Sequence, residues 1–146
     1  MRYIELLSPA KDFTAAVAAI DHGADAVYMG ASRFGARQAA GNSLDDIARV
    51  AEYAHRYGAR LHCTLNTVLF DDELQDAERM ARELIAAGAD ALIVQDMAYR
   101  RMGLPVELHA STQVCNMTPE GAHFLERSGF QSNCLRQMSF MKTVRF

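Results

Sequence analysis

The chain has 146 residues, half of them apolar and 23% charged, with 15 Lys and Arg against 18 Asp and Glu and a formal net charge of −3. That suits one domain with a real core and argues against a disordered chain, a disulfide scaffold or a strongly basic nucleic-acid module. No apolar run reaches the roughly 18 residues of a membrane helix, the N-terminus does not read as a secretory leader, and Cys63, Cys115 and Cys134 are too scattered for a zinc or disulfide framework. A cytoplasmic protein without a metal site of its own is expected.

In chain order, Ile4-Glu5-Leu6-Leu7 reads as a short strand, and Asp12 caps a helix running to about His22. Ala26-Val27-Tyr28-Met29 is a second strand. Ser43 caps a helix over residues 44–57, with Asp45 and Asp46 in the first turn, where carboxylates suit the helix dipole. Residues 60–66 form a third strand, and Asp71 or Asp72 opens a helix to Ala87. Ala91-Leu92-Ile93-Val94 is a fourth strand, residues 97–102 a short helical piece, and residues 106–110 a fifth strand. Thr118-Pro119-Glu120 begins a last helix, with Pro in the first turn. Gly23, Gly58, Gly88 and Gly129 each follow a helical stretch, where a left-handed residue ends the helix.

Gly23-Ala24-Asp25-Ala26-Val27 returns as Gly88-Ala89-Asp90-Ala91-Leu92, one helix-to-strand junction used twice. Repeated βα units imply a parallel sheet. Ser8-Pro9-Ala10-Lys11 after the first strand is no Gly-rich dinucleotide fingerprint, so the fold class is an α/β, TIM-like (β/α) barrel. A whole barrel takes eight units and about 250 residues. Five or six units are visible, and the barrel is expected to be incomplete. The sixth strand, due after Gly129, reads poorly as Phe130-Gln131-Ser132-Asn133-Cys134-Leu135. Residues 1–130 are therefore assigned to the barrel and residues 131–146 to a divergent tail of frameshifted or truncated character.

Strand periodicity separates two faces. Leu61, Cys63 and Leu65 alternate with His62, Thr64 and Asn66; Val106, Leu108 and Ala110 alternate with Glu107, His109 and Ser111; Ile4 and Leu6 alternate with Glu5 and Leu7. The apolar set must lie under helices, which turns the polar set toward the barrel axis. Buried polar groups cost desolvation unless they pair or bind something. The set is a satisfied network or a ligand pocket, and the pocket is favoured. The candidate catalytic residues are Glu5, His62, Asn66, His109 and Gln113, with Glu107 as a further carboxylate; residue pattern alone does not choose among them. Cys63, on the helix side, is expected to be inert core. Residues 30–42 make a long loop on the same end of the barrel, and Arg33 and Arg37 in it are candidate ligands for a phosphate or small carboxylate, since the guanidinium fork pairs with such groups in two parallel bonds.

Several ordered motifs resemble peptidase family U32, the collagenase-like proteases. They are Glu5-Leu6-Leu7-Ser8-Pro9-Ala10, Phe34-Gly35-Ala36-Arg37, Thr64-Leu65-Asn66-Thr67, Asp71-Asp72-Glu73-Leu74 and Leu108-His109-Ala110-Ser111-Thr112-Gln113, together with the two junctions. The likeness runs from about residue 3 to 130 and is greatest to the ribosomal RNA 5-hydroxycytidine synthase branch. It implies a TIM-like barrel with further domains downstream, and an RNA or ribosomal precursor as partner of the full-length protein. It also implies an iron–sulfur cluster held by cysteines beyond this segment and a link to prephenate. The family contains peptidases as well as hydroxylases, so a U32 peptidase is the alternative activity. No G-x-S-x-G or H-E-x-x-H motif is present. An inactive gene fragment is the third reading.

Overall fold

Each short apolar strand is followed by a helical crossover, so neighbouring strands are laid down parallel and in chain order. The computed structural model describes residues 5–36, 41–135 and 142–145. Its sheet contains β1 (Leu7–Pro9), β2 (Ala26–Gly30), β3 (Arg60–Leu65), β4 (Ala91–Val94), β5 (Glu107–Ala110), β6 (Ser132–Leu135) and β7 (Lys142–Arg145), side by side in that order. The first six are parallel, and β7 returns antiparallel along β6. Helices α1 (Phe13–Asp21), α2 (Leu44–Arg56), α3 (Leu74–Ala86) and α4 (Pro119–Arg127) complete a curled half-barrel.

Local chemistry places the helix starts. The Asp12 carboxylate accepts from Ala15 N at 2.8 Å and so caps α1. Ser43 and Asp46 form a reciprocal capping box at α2, with Ser43 Oγ accepting from Asp46 N at 3.1 Å. Thr118 caps α4, and Pro119 follows where no N–H is needed. Gly23, Gly58, Gly88 and Gly129 all have positive φ. At Gly88 (φ +103) there is also no room: a Cβ would sit 2.7 Å from that of Ala51, so glycine there serves both backbone and packing.

The repeated junction has a chemical purpose. Asp25 Oδ2 accepts from Leu6 N at 2.7 Å, and Asp90 Oδ2 accepts from Leu61 N at 2.7 Å. In each case the aspartate entering one strand reaches back to satisfy an N–H at the start of its neighbour. The motif occurs a third time, unnoticed in the sequence because the residue has changed. Gln131 Oε1 accepts from Leu108 N at 2.9 Å, two residues after Gly129.

Two expectations are corrected, and a third, the poorly reading sixth strand, is met. The first strand, expected over residues 4–7, begins at Leu7, with Glu5 and Leu6 ahead of it and Ile4 outside the described residues: Leu6 is 54% exposed and its N–H is taken by Asp25 rather than by a strand partner. Asp71–Glu73 is a 3-10 turn, and α3 itself starts at Leu74. The segment after Gly129, read as a poor strand, does pair: β6 sets Ser132 beside His109 and Asn133 beside Ala110. Its polarity still has a cost. Asn133 is completely buried, and neither atom of its amide has a hydrogen-bond partner among the described residues.

The main core lies between sheet and helices. Leu61, Cys63, Leu65, Leu92, Val94 and Leu108 pack there with Ile47, Val50 and Leu84 of α2 and α3. Cys63 is fully buried, and burial pushes its thiol up to about 12, which leaves it protonated and inert as expected.

Candidate functional site

The concave face of the sheet carries two polar layers. The deeper one is built from Glu5, Arg60, His62, Glu107 and His109. Arg60 donates to Glu107 Oε2 at 2.9 Å, and His109 Nε2 lies 3.2 Å from the same oxygen. The rings of His62 and His109 meet edge to face, with centroids 4.8 Å apart. Between them β4 offers Ala91, a bare methyl in register with His62 and Glu107. His62 is wholly buried, and neither ring nitrogen has a hydrogen-bond partner among the described residues. Glu5 Oε1 is 3.9 Å from its Nε2, too far for a hydrogen bond. Burial, reinforced by the neighbouring His109 and Arg60, pushes His62 down to about 3, so the imidazole is neutral at physiological pH.

The upper layer opens at the C-terminal ends of the strands, where barrel enzymes carry their sites. A cleft of about 260 Å³ is lined by Tyr28, Gly30, Thr64, Asn66, Thr112 and Gln113. Lys11 stands at its edge, and Ala36 contributes from the loop after β2. Asn66, just beyond β3, joins the walls. Its Oδ1 accepts from Ala36 N at 3.0 Å, and its Nδ2 donates to Ser111 Oγ at 3.2 Å. Ser111 Oγ in turn accepts from Gln113 N at 3.2 Å. Gln95 reaches across from the end of β4 to Gln113 O at 3.3 Å.

Of the sequence candidates, Asn66 and Gln113 come together in the cleft, whereas Glu5, His62 and His109 form the layer beneath and do not line it. Arg33 is turned away: it pairs with Asp76 of α3 at 3.1 Å and covers the Phe34 ring at 4.8 Å. Arg37 lies outside the described residues. The long loop is pinched at its base, where Asn42 N and Nδ2 both donate to Gly30 O. Thr112 falls in the His109 to Gln113 run expected at the site end of the barrel, whereas Tyr28 was not anticipated. Tyr28 was legible, because the alternation that turns His62 to the axis also turns Ala26, Tyr28 and Gly30 there through the β2–β3 register. Thr112 belongs to a 3-10 turn after β5, where no strand period applies.

An iron–sulfur centre finds no ligand set in these residues. Cys63 is buried, Cys115 exposed and Cys134 on β6, and no three His, Cys, Asp or Glu side chains are placed so that they could hold a metal ion among the described residues. No helix among them is long and apolar enough to cross a membrane.

Comparison with known proteins agrees with this architecture. Among solved structures, the U32 peptidase Mk0906 superimposes with a TM-score of 0.69 at 12% identity, over 90% of this chain and 57% of that one, a likeness of fold. The 23S rRNA 5-hydroxycytidine C2501 synthase of Escherichia coli (strain K12) is 56% identical over 143 residues, 97% of this chain but 22% of that protein. The tRNA hydroxylation protein P1 of Bacillus subtilis (strain 168) is 32% identical over 97% of this chain and 35% of its own length. A collagenase of Porphyromonas gingivalis (strain ATCC BAA-308 / W83) is 28% identical over 84% of this chain and 31% of its own length. The chain thus spans between about a fifth and a third of these relatives. Residues 11–145 match the family model described as Peptidase family U32, through the β6 segment that reads as divergent. With the match covering nearly all of its length, the chain belongs to peptidase family U32.

Proposed function

We propose that this chain is the cleft-bearing part of an enzyme that hydroxylates a base of ribosomal RNA. The observation that carries this reading is the 56% identity, over 97% of this chain, to a protein named for 5-hydroxycytidine synthesis in 23S rRNA. The cleft chemistry supports it. A base taken out of its stack needs a flat surface and groups that read its polar edge. Tyr28 offers the first and the Gln113 amide the second, while Lys11 at the edge suits a phosphate or a small carboxylate. The oxidising centre, on this reading, belongs to cysteines outside these residues, and the role of this chain is to bind and orient the base.

Peptide hydrolysis is the alternative, favoured by the family description and the collagenase relative. It needs an activated nucleophile or metal-bound water. Thr64, whose hydroxyl stands on the cleft wall beside those of Tyr28 and Thr112, donates instead to Met29 O at 3.3 Å.

The test is a chimera in which these 146 residues replace the matching segment of the Escherichia coli relative, expressed in a strain deleted for that protein. Mass spectrometry of 23S rRNA should show 5-hydroxycytidine restored. A soluble, folded chimera that leaves the cytidine unmodified, or that cleaves collagen-like peptides instead, overturns the reading.

A further inference from the structure

The walls of the cleft are held in unusual backbone. Phe34 and Cys115 are the non-glycine residues with positive φ among the described residues, at 60° and 59°. One lies in the loop after β2 that brings Ala36 to the cleft, and the other closes the turn after β5 that brings Thr112 and Gln113 to it. Such conformations cost about 1–3 kcal/mol each and persist only where their surroundings impose them.

Asn66 is the residue that reaches both walls. Its orientation is fixed chemically: the Ala36 N–H can only donate, so Oδ1 must face it, and Nδ2 then faces Ser111 Oγ. Ser111 is 2% exposed and passes the constraint on to Gln113 N. Thr67, the next residue, donates to Phe34 O at 3.2 Å and steadies the same loop. The Gln113 side chain, in contrast, has no hydrogen bond among the described residues and lines the cleft. Its backbone is pinned at both N–H and C=O while its amide is left for a ligand.

We propose that Asn66 is a positioning residue that ties the two walls together and sets where the Gln113 amide meets the polar edge of the substrate base. This rests on the RNA-base reading for the substrate and on geometry alone for the tie. An aspartate at position 66 would still accept from Ala36 N–H and could accept the Ser111 hydroxyl proton, whereas alanine loses both bonds.

The test uses the chimera described above, purified, with a 23S rRNA fragment as substrate. Asn66→Ala should lower kcat/KM by about 10²-fold, the order of loss that accompanies misplacement of reacting groups. Asn66→Asp should recover most of it, and Gln113→Ala should raise KM more than it lowers kcat. Adding Ser111→Ala to Asn66→Ala should cost little more, because both act along one path. Hydrogen exchange should quicken in peptides covering residues 34–36 and 111–115 in Asn66→Ala and not elsewhere. If Asn66→Ala lowers stability but keeps wild-type kcat/KM per folded molecule, the residue is merely structural and the proposal fails. If the unsubstituted chimera modifies no RNA, the functional reading fails separately, and the exchange pattern still decides the tie: unchanged exchange at both walls overturns it.

Discussion

On the convex side of the sheet, Leu61, Cys63 and Leu65 are completely buried against α2 and α3 in an apolar core. On the concave side of the same strand, His62 is just as deeply buried, with neither ring nitrogen hydrogen-bonded among the described residues. One strand therefore serves two environments with opposite rules. Outside, stability follows from area removed from water and from close packing. Inside, polar groups are held at a cost, arranged in a histidine and carboxylate layer beneath and an amide and hydroxyl layer at the cleft. The difference teaches that the fold is supported from the convex side, which leaves the concave side free to carry chemistry that does not contribute to stability.

The largest effects should separate the faces sharply. His62 is held far below its ordinary pKa, so the unfolded chain binds its proton more readily than the folded one. The stability it permits above about pH 6.5 is lost as pH falls toward about 3. Between pH 7 and pH 4 the loss should be about 3 kcal/mol, at roughly 1.4 kcal/mol per pKa unit. Urea titrations of wild type and His62→Leu at the two pH values measure it as a difference. His62→Leu should be no less stable at pH 7, since the ring nitrogens make no hydrogen bond among the described residues. Equal acid sensitivity in the two proteins would mean that another group carries the effect.

Leu61→Ala, one residue away on the convex side, should destabilise at every pH by about 2–5 kcal/mol, read as a lowered urea midpoint with unchanged slope. At the junctions, Asp90→Ala leaves Leu61 N–H without its acceptor and also loses His55 Nε2 at 2.9 Å. It should cost about 1–3 kcal/mol, and Asp25→Ala, whose bond to Leu6 N is exposed, visibly less. Ser43→Ala should cost about 1 kcal/mol through the lost cap of α2. The smallest effect belongs to Arg33→Ala: its pair with Asp76 is exposed and worth about 0–1 kcal/mol. A large loss of RNA binding in that variant would mean that Arg33 leaves Asp76 for a ligand.

Much of the barrel was legible because its signals are local. Asp12, Ser43 and Thr118 start helices through bonds to N–H groups three residues on, and period two in β3 and β5 separates convex from concave residues. The start of β1 was misplaced because Leu6 has a strand-like apolar side chain, while its backbone is claimed by Asp25, a residue 19 positions away. β6 was undervalued for a related reason. Its pairing comes from the neighbouring β5, and the N–H of Leu108 is satisfied by Gln131 where the earlier junctions use aspartate.

The candidate site divides along the same line. Sequence alone determined that the chain is built of βα units with one polar strand face, and that Asn66, His109 and Gln113 fall near strand ends, because alternation and capping are properties of a few consecutive residues. Only the tertiary structure decided that Asn66 spans to Ala36 and Ser111, that His62 and His109 lie below the cleft, and that Arg33 faces α3. Those outcomes depend on sheet curl and on strand register across residues 30 to 47 positions apart in the chain. No local pattern encodes such distances, and packing resolves them only when the whole sheet has formed.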